Sequence, residues 1–234
     1  MTLPRIHVLW VPGYLPERDV IVQSLQDQHP DGVCTHEDPN REGLLLNYAS
    51  ALKCALNDTH EWSVIVSDDA IPLPLWTKHL EAALTYAPED IVGLTHFGGY
   101  GLAMAAKGVP YGVSANALWG GAGAYRHNVL QPLLNLVQFG LNIGWNHKGD
   151  DGAVIAFNLL RDGKTAMCTR AIFDQPILKS TLGHGGNKRF PRLTIKDSGP
   201  WWGANPRSAK MSMRTNQPDV TELLKAWKEA HAQD

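Results

Sequence analysis

The sequence predicts an α/β fold, an open and mostly parallel central sheet with helices on both faces, and three observations predict it. Strand-like apolar runs alternate with helix-length amphipathic segments through the first hundred residues. One of those runs, "WSVIVS" at residues 62–67, is the near-continuous apolar kind found in strands covered on both faces. A length of 234 residues with 44% hydrophobic side chains suffices for one domain with a sizeable core.

The elements follow in order. "RIHVLWV" reads as a first strand that stops at Pro12-Gly13, and "PERDVIVQSLQDQ" as a helix with Pro16 and Glu17 in its first turn. "DGVCTHED" is a second short strand. In "REGLLLNYASALKCALN", Leu45, Tyr48, Leu52, Ala55 and Leu56 share one helical face, so that helix packs on a sheet. "WSVIVS" is the third strand, "LPLWTKHLEAALTYA" a helix and "DIVGLT" the fourth strand. After Thr95 the texture turns to glycine and aromatic residues in "HFGGYGLAMAAKGVPYG" and "ALWGGAGAY", typical of loops and irregular strands that approach a ligand closely. Helical pattern returns at "RHNVLQPLLNLVQFGL", from Asp150 to Arg161, and in "PDVTELLKAWKEAHA".

A formal charge of −2 leaves the decision about polyanionic partners to local charge. Cys34, Cys54 and Cys168 are odd in number and lack any CxxC or His/Cys ligand spacing, which argues against a disulfide scaffold and against structural zinc. A reduced, cytoplasmic protein fits, with no membrane partner: the amino terminus has only a short apolar run, and no segment reaches the roughly 18 to 20 apolar residues of a membrane span.

The third strand ends on Asp68 and Asp69. Adjacent carboxylates repel and raise one another's pKa unless a cation lies beside them. Ligands in open α/β sheets bind beyond the carboxyl ends of the strands, and carboxylate oxygens suit Mg²⁺ or Mn²⁺. The plainer reading is that Asp69 caps the next helix and Asp68 sits in solvent.

"SDDA" resembles the DxD-type motif of glycosyltransferases with the GT-A fold. The resemblance implies a single domain over residues 1–234: a nucleotide-sugar-binding half at 1–100, an acceptor and catalytic half at 101–190, and a basic loop with a terminal helix at 191–234. It also implies Asp69 as direct metal ligand and Asp68 near the ribose or metal. "HEDPNREGLLLNYASAL" resembles the segment near the nucleoside, with Asp38 and Arg41 as donor contacts, although a cap made by Asp38 or Asn40 explains the stretch as well.

"GDDGAVIAFNLLRDGK" resembles the acidic dipeptide and helix of inverting members, in which a carboxylate takes the acceptor hydroxyl's proton. Asp151 is the implied base, and a spacing one residue out keeps Asp150 as the alternative. The helix dipole alone, about 0.3–1 kcal/mol, also favours acidic residues there. His184 in "STLGHGG" resembles the histidine that completes the metal shell, with Lys188 and Arg189 at hand for phosphate. Trp119, Gly120 and Gly121 in "NALWGGAGAYRH" resemble the acceptor side, where glycine admits backbone to sugar and Trp119 stacks; a buried Trp beside a bulge is the structural alternative.

Lys179 to Arg214 holds eight basic residues and one acidic, with Phe190, Trp201 and Trp202 interleaved. Cations bind backbone phosphates and aromatics stack on bases, though a lid over the donor diphosphate would use some of them too. The whole pattern resembles the small phage glycosyltransferases associated with TET/JBP-type oxygenases. That resemblance implies hexose transfer from a UDP-sugar to 5-hydroxymethylcytosine in double-stranded DNA, in an infected bacterial cytoplasm if phage-encoded. The rivals are a GT-A enzyme for a glycan, lipid or protein acceptor, a non-catalytic nucleotide- or sugar-binding protein, and a nucleotidyltransferase.

Overall fold

A computed structural model describes residues 3–87, 93–95, 111–114, 122–145, 151–160, 165–168, 172–174, 208–210 and 218–232. Its first half follows the predicted order: β1 (Ile6–Trp10), α1 (Pro16–Gln28), β2 (Val33–Glu37), α2 (Leu44–Ala55), β3 (Trp62–Ser67), β4 (Ile71–Pro72), α3 (Trp76–Thr85) and β5 (Gly93–Thr95). Then come β6 (Tyr111–Ser114), β7 (Ala122–Arg126), α4 (His127–Asn142), α5 (Asp151–Leu160), β8 (Thr165–Cys168), β9 (Phe173–Asp174), β10 (Ser208–Lys210) and α6 (Pro218–Ala230). Among the described residues no helix is long and apolar enough to cross a membrane.

Eight strands form one mixed sheet in the order β10-β6-β8-β5-β7-β3-β1-β2, and β4 pairs with β9 apart from it. β1 runs parallel to both β2 and β3, as expected of strands joined by helices. The glycine-rich stretch holds the departure from a simple parallel order: β7 inserts between β3 and β5, antiparallel to both. Its small residues permit this. A side chain at Gly123 would stand 2.8 Å from the Tyr125 hydroxyl, so glycine there makes room for that ring.

Strand periodicity divides the core into two layers. Ile6 and Val8 of β1, Trp62, Val64 and Val66 of β3, and Ala122 and Ala124 of β7 face α1 and α3. The alternate residues Leu9, Ile65 and Tyr125 face α2, α4, α5 and α6. Both faces are therefore dry, which explains the apolar run of β3; each fully buried large side chain stabilises by about 1.5–3 kcal/mol relative to exposure. On α1 the buried stripe is Arg18, Ile21, Val22 and Leu25, so a guanidinium is carried into the same layer as the aliphatic residues.

Candidate functional site

The strand order places a crevice. From β1 the chain passes through α1 to β2 on one side, then through α2 to β3 on the other, with α1 and α2 on opposite faces. Reversals of this kind leave an opening at the carboxyl ends of the two strands concerned, here β1 and β3. The ends are level: the Asp68 amide donates to the Leu9 carbonyl at 2.9 Å, and the Asp38 amide donates to the Trp10 carbonyl at 2.8 Å. Residues 11, 38 and 68 thus lie side by side along one edge.

Asp68 and Asp69 are both buried there, at 2% and 4% exposure, so neither sits in solvent. Asp69 does not cap α3 either, because the residue before that helix is Leu75, in the left-handed region at φ 62° and with no side-chain cap. What relieves their repulsion is Arg18, also buried. One guanidinium nitrogen donates to Asp68 Oδ1, and the other donates to Asp69 Oδ2 at 3.3 Å. Asp68 Oδ2 accepts the Val11 amide at 3.1 Å, and Asp69 Oδ1 accepts the Ser67 hydroxyl at 2.6 Å. Burial pushes the Asp68 carboxyl above its usual range; the Arg18 charge and the Val11 N–H oppose that shift, and the Asp69 charge adds to it.

The loop between β1 and α1 is held from its other side. Asp19 Oδ1 accepts the Trp10 indole N–H at 2.8 Å and the Gly13 amide at 3.3 Å, and Gly13 takes φ 70°, open to glycine without cost. Arg18 and Asp19, neighbours in the first turn of α1, thus tie that helix to the end of β3 and to the β1–α1 loop respectively.

The β2–α2 turn is built on Asp38, whose carboxylate accepts the Glu42 amide at 2.7 Å and the Gly43 amide at 3.1 Å. Both donors precede α2, whose N-cap is Gly43 with no side-chain cap bond, so Asp38 fixes the turn that leads into the helix and does not cap the helix itself. Arg41 takes φ 56° in this turn, and its guanidinium lies 4.4 Å above the Tyr14 ring centroid, linking the turn to the β1–α1 loop. Asp38, Arg41, Asp68 and Asp69 therefore gather at one edge. Asp151 opens α5, with its side chain outside the described structure. Asp150, Trp119, Gly120, Gly121, His184, Lys188 and Arg189 lie outside the described residues.

Sequence reading missed Arg18. The signal was present: it occupies the first place of an i, i+3, i+4, i+7 stripe whose other members are apolar, and a charge on such a face needs a buried partner. The reading of the cysteines needs correction. Without ligand spacing along the chain, Cys34 and Cys54 nonetheless meet His7 and His36 in space, with one ligand atom from each all within 4.8 Å of one another. Burial lowers the pKa of His7 and lowers that of His36 to about 4, and burial raises that of the Cys34 thiol.

No family model matches the chain, and no curated protein matches it significantly. Solved structures do. A glycosyltransferase involved in glycosylation of the major capsid of PBCV-1 aligns with a TM-score of 0.40 and 13% identity, over 64% of this chain and 74% of that one. A mannosyltransferase from Pyrobaculum calidifontis, in complex with GDP-Man and Mn²⁺, aligns with a TM-score of 0.44 and 16% identity over 76% of this chain. The alignment takes in 59% of the mannosyltransferase chain, so this protein spans about three-fifths of that length.

Proposed function

We propose that the protein is a metal-dependent glycosyltransferase that moves a hexose from a nucleotide sugar to a hydroxyl group. One observation carries the reading: an acidic doublet closes β3 at the reversal of strand order, flanked by a turn that presents an exposed arginine. Carboxylate oxygens are the donors a hard divalent ion prefers, so the residues fit Mn²⁺ or Mg²⁺ in kind. Both carboxylates bond Arg18; Asp68 also accepts the Val11 amide and Asp69 the Ser67 hydroxyl. Asp69 is the residue that would hold the ion, with His184 as a second ligand. Such an ion, when bound, offsets the charge on a departing diphosphate.

The chain's own groups supply the rest. Arg18 fixes the doublet and the β1–α1 loop in one geometry, and Arg41 offers a planar fork of donors to phosphate or uracil oxygens. Lys188 and Arg189 add charge for the diphosphate. Asp151, or Asp150, accepts the proton of the attacking hydroxyl, while Trp119, Gly120 and Gly121 line the acceptor. The donor in this proposal is a UDP-sugar. The acceptor is 5-hydroxymethylcytosine in DNA, a choice supported by the cations and aromatics of Lys179 to Arg214.

The test is to incubate the protein and Mn²⁺ with a panel of nucleotide sugars and hydroxymethylated DNA, and to read nucleotide release and nucleoside mass. We expect UDP release, a hexose added to the modified base, and loss of both on chelation. Transfer only to glycan, lipid or protein hydroxyls would keep the enzyme and replace the acceptor. If no nucleotide sugar is turned over and none raises the melting temperature with Mn²⁺, the reading is wrong.

A further inference from the structure

We propose that His7, Cys34, His36 and Cys54 form a tetrahedral site for a structural zinc ion, separate from the carboxyl-edge site. The elements converge by simple geometry. His7 pairs with Cys34, and Leu9 with His36, across parallel β1 and β2, which puts both histidines and Cys34 on the face that α2 covers. Cys54 comes down from the last turn of α2. Asn47 on the same helix donates to the His36 carbonyl at 2.9 Å and holds α2 against β2.

The spacing suits the ion. Zinc–sulfur bonds of about 2.3 Å in a tetrahedron set a sulfur–sulfur edge of about 3.8 Å. Cys34 Sγ and Cys54 Sγ stand 3.8 Å apart. Zinc–nitrogen bonds of about 2.0–2.1 Å set a nitrogen–nitrogen edge of about 3.3 Å. His7 Nδ1 and His36 Nε2 stand 3.0 Å apart, the separation of a shared hydrogen bond, and need open only slightly.

Asp58 supplies the supporting contact that metal-binding histidines use. Its Oδ2 lies 2.8 Å from His7 Nε2, and its other oxygen accepts from Arg5 Nη1 at 3.3 Å. A carboxylate only accepts, so Nε2 carries the proton and Nδ1 turns its lone pair toward His36 and the two thiols. Two imidazoles and two sulfurs favour zinc over the hard ions that carboxylates attract. A Cys34–Cys54 disulfide is the rival, and it leaves the Asp58–His7–His36 chain without a role. The half-buried thiols leave the ion a way in, since both histidines are buried and both cysteines are partly open.

The full-length chain, purified under reductant without chelator, is expected to hold one zinc per chain by mass spectrometry of the metal. Replacement by Co²⁺ should give the intense visible absorption of a tetrahedral thiolate site, which an octahedral oxygen site does not show. Cys54→Ser should abolish that absorption and weaken zinc binding by about 100-fold or more, and Asp58→Asn by about 10- to 100-fold. Because Asp58→Asn keeps all four ligands, it reports on the site even where a ligand variant does not fold. A reduced, folded protein that takes up neither Zn²⁺ nor Co²⁺ would overturn the proposal. So would zinc retained unchanged in Cys34→Ser and Cys54→Ser, which places the ion elsewhere.

Discussion

Two groups of buried polar side chains lie along β1, one beside its carboxyl end and one around His7, and they handle burial in opposite ways. At the end, charged groups are buried together: two carboxylates share the single guanidinium of Arg18. Around His7, burial lowers the pKa of both His7 and His36, which favours their neutral forms; the two rings share a hydrogen bond, and His7 alone bonds Asp58. Charge sharing makes a cluster brittle, since removing one member strands the others. Neutral nitrogen and sulfur donors make a cluster that tolerates an empty state and gains by taking an ion.

The sharpest way to break the comparison is Arg18→Ala. With both acidic partners left buried, the loss should be about 3–5 kcal/mol in urea denaturation, and Asp68→Asn added to it should restore part of that. A loss under 1 kcal/mol would show that the doublet is compensated by other groups. Next in size is the metal: the zinc-loaded protein should exceed the chelated one by about 2.7 kcal/mol at a free ion concentration near 100 times Kd, read as a fall in Tm on chelation. An equal Tm in both states would put the two clusters on the same footing.

Asp38→Ala comes third. It strips two turn amides of their acceptor and should cost about 0.5–1.5 kcal/mol, visible as a lower denaturation midpoint with unchanged slope. Smallest in stability is Arg41→Ala, about 0.5 kcal/mol for an exposed contact to Tyr14. If the proposed donor site is right, the same change weakens UDP binding by roughly tenfold or more in calorimetry.

Much of the first half was legible because hydrophobic period and turn residues act locally. Pro16 starts α1 where the first-turn rule puts it, and "WSVIVS" forms β3 end to end. The place of the acidic doublet at a strand end was legible for the same reason. Its partner was not found, since Arg18 lies 50 positions from Asp68 and meets it only once α1 folds over the sheet. The histidine and cysteine cluster was hidden more thoroughly: it draws on β1, β2 and α2, with no spacing to mark it. The antiparallel entry of β7 also escaped local reading, because strand direction depends on where the preceding chain leaves the sheet.

β2 is the outermost strand on its side, and only its inner margin is paired among the described residues. Margins of this kind fray first, so amide hydrogen exchange should enter the molecule through Val33 to Glu37. An ion seated on Cys34 and His36 would rivet that rim to its neighbours. Exchange there, slow with zinc and fast without it, would then gauge how firmly the Asp38 turn is held for whatever docks beside it.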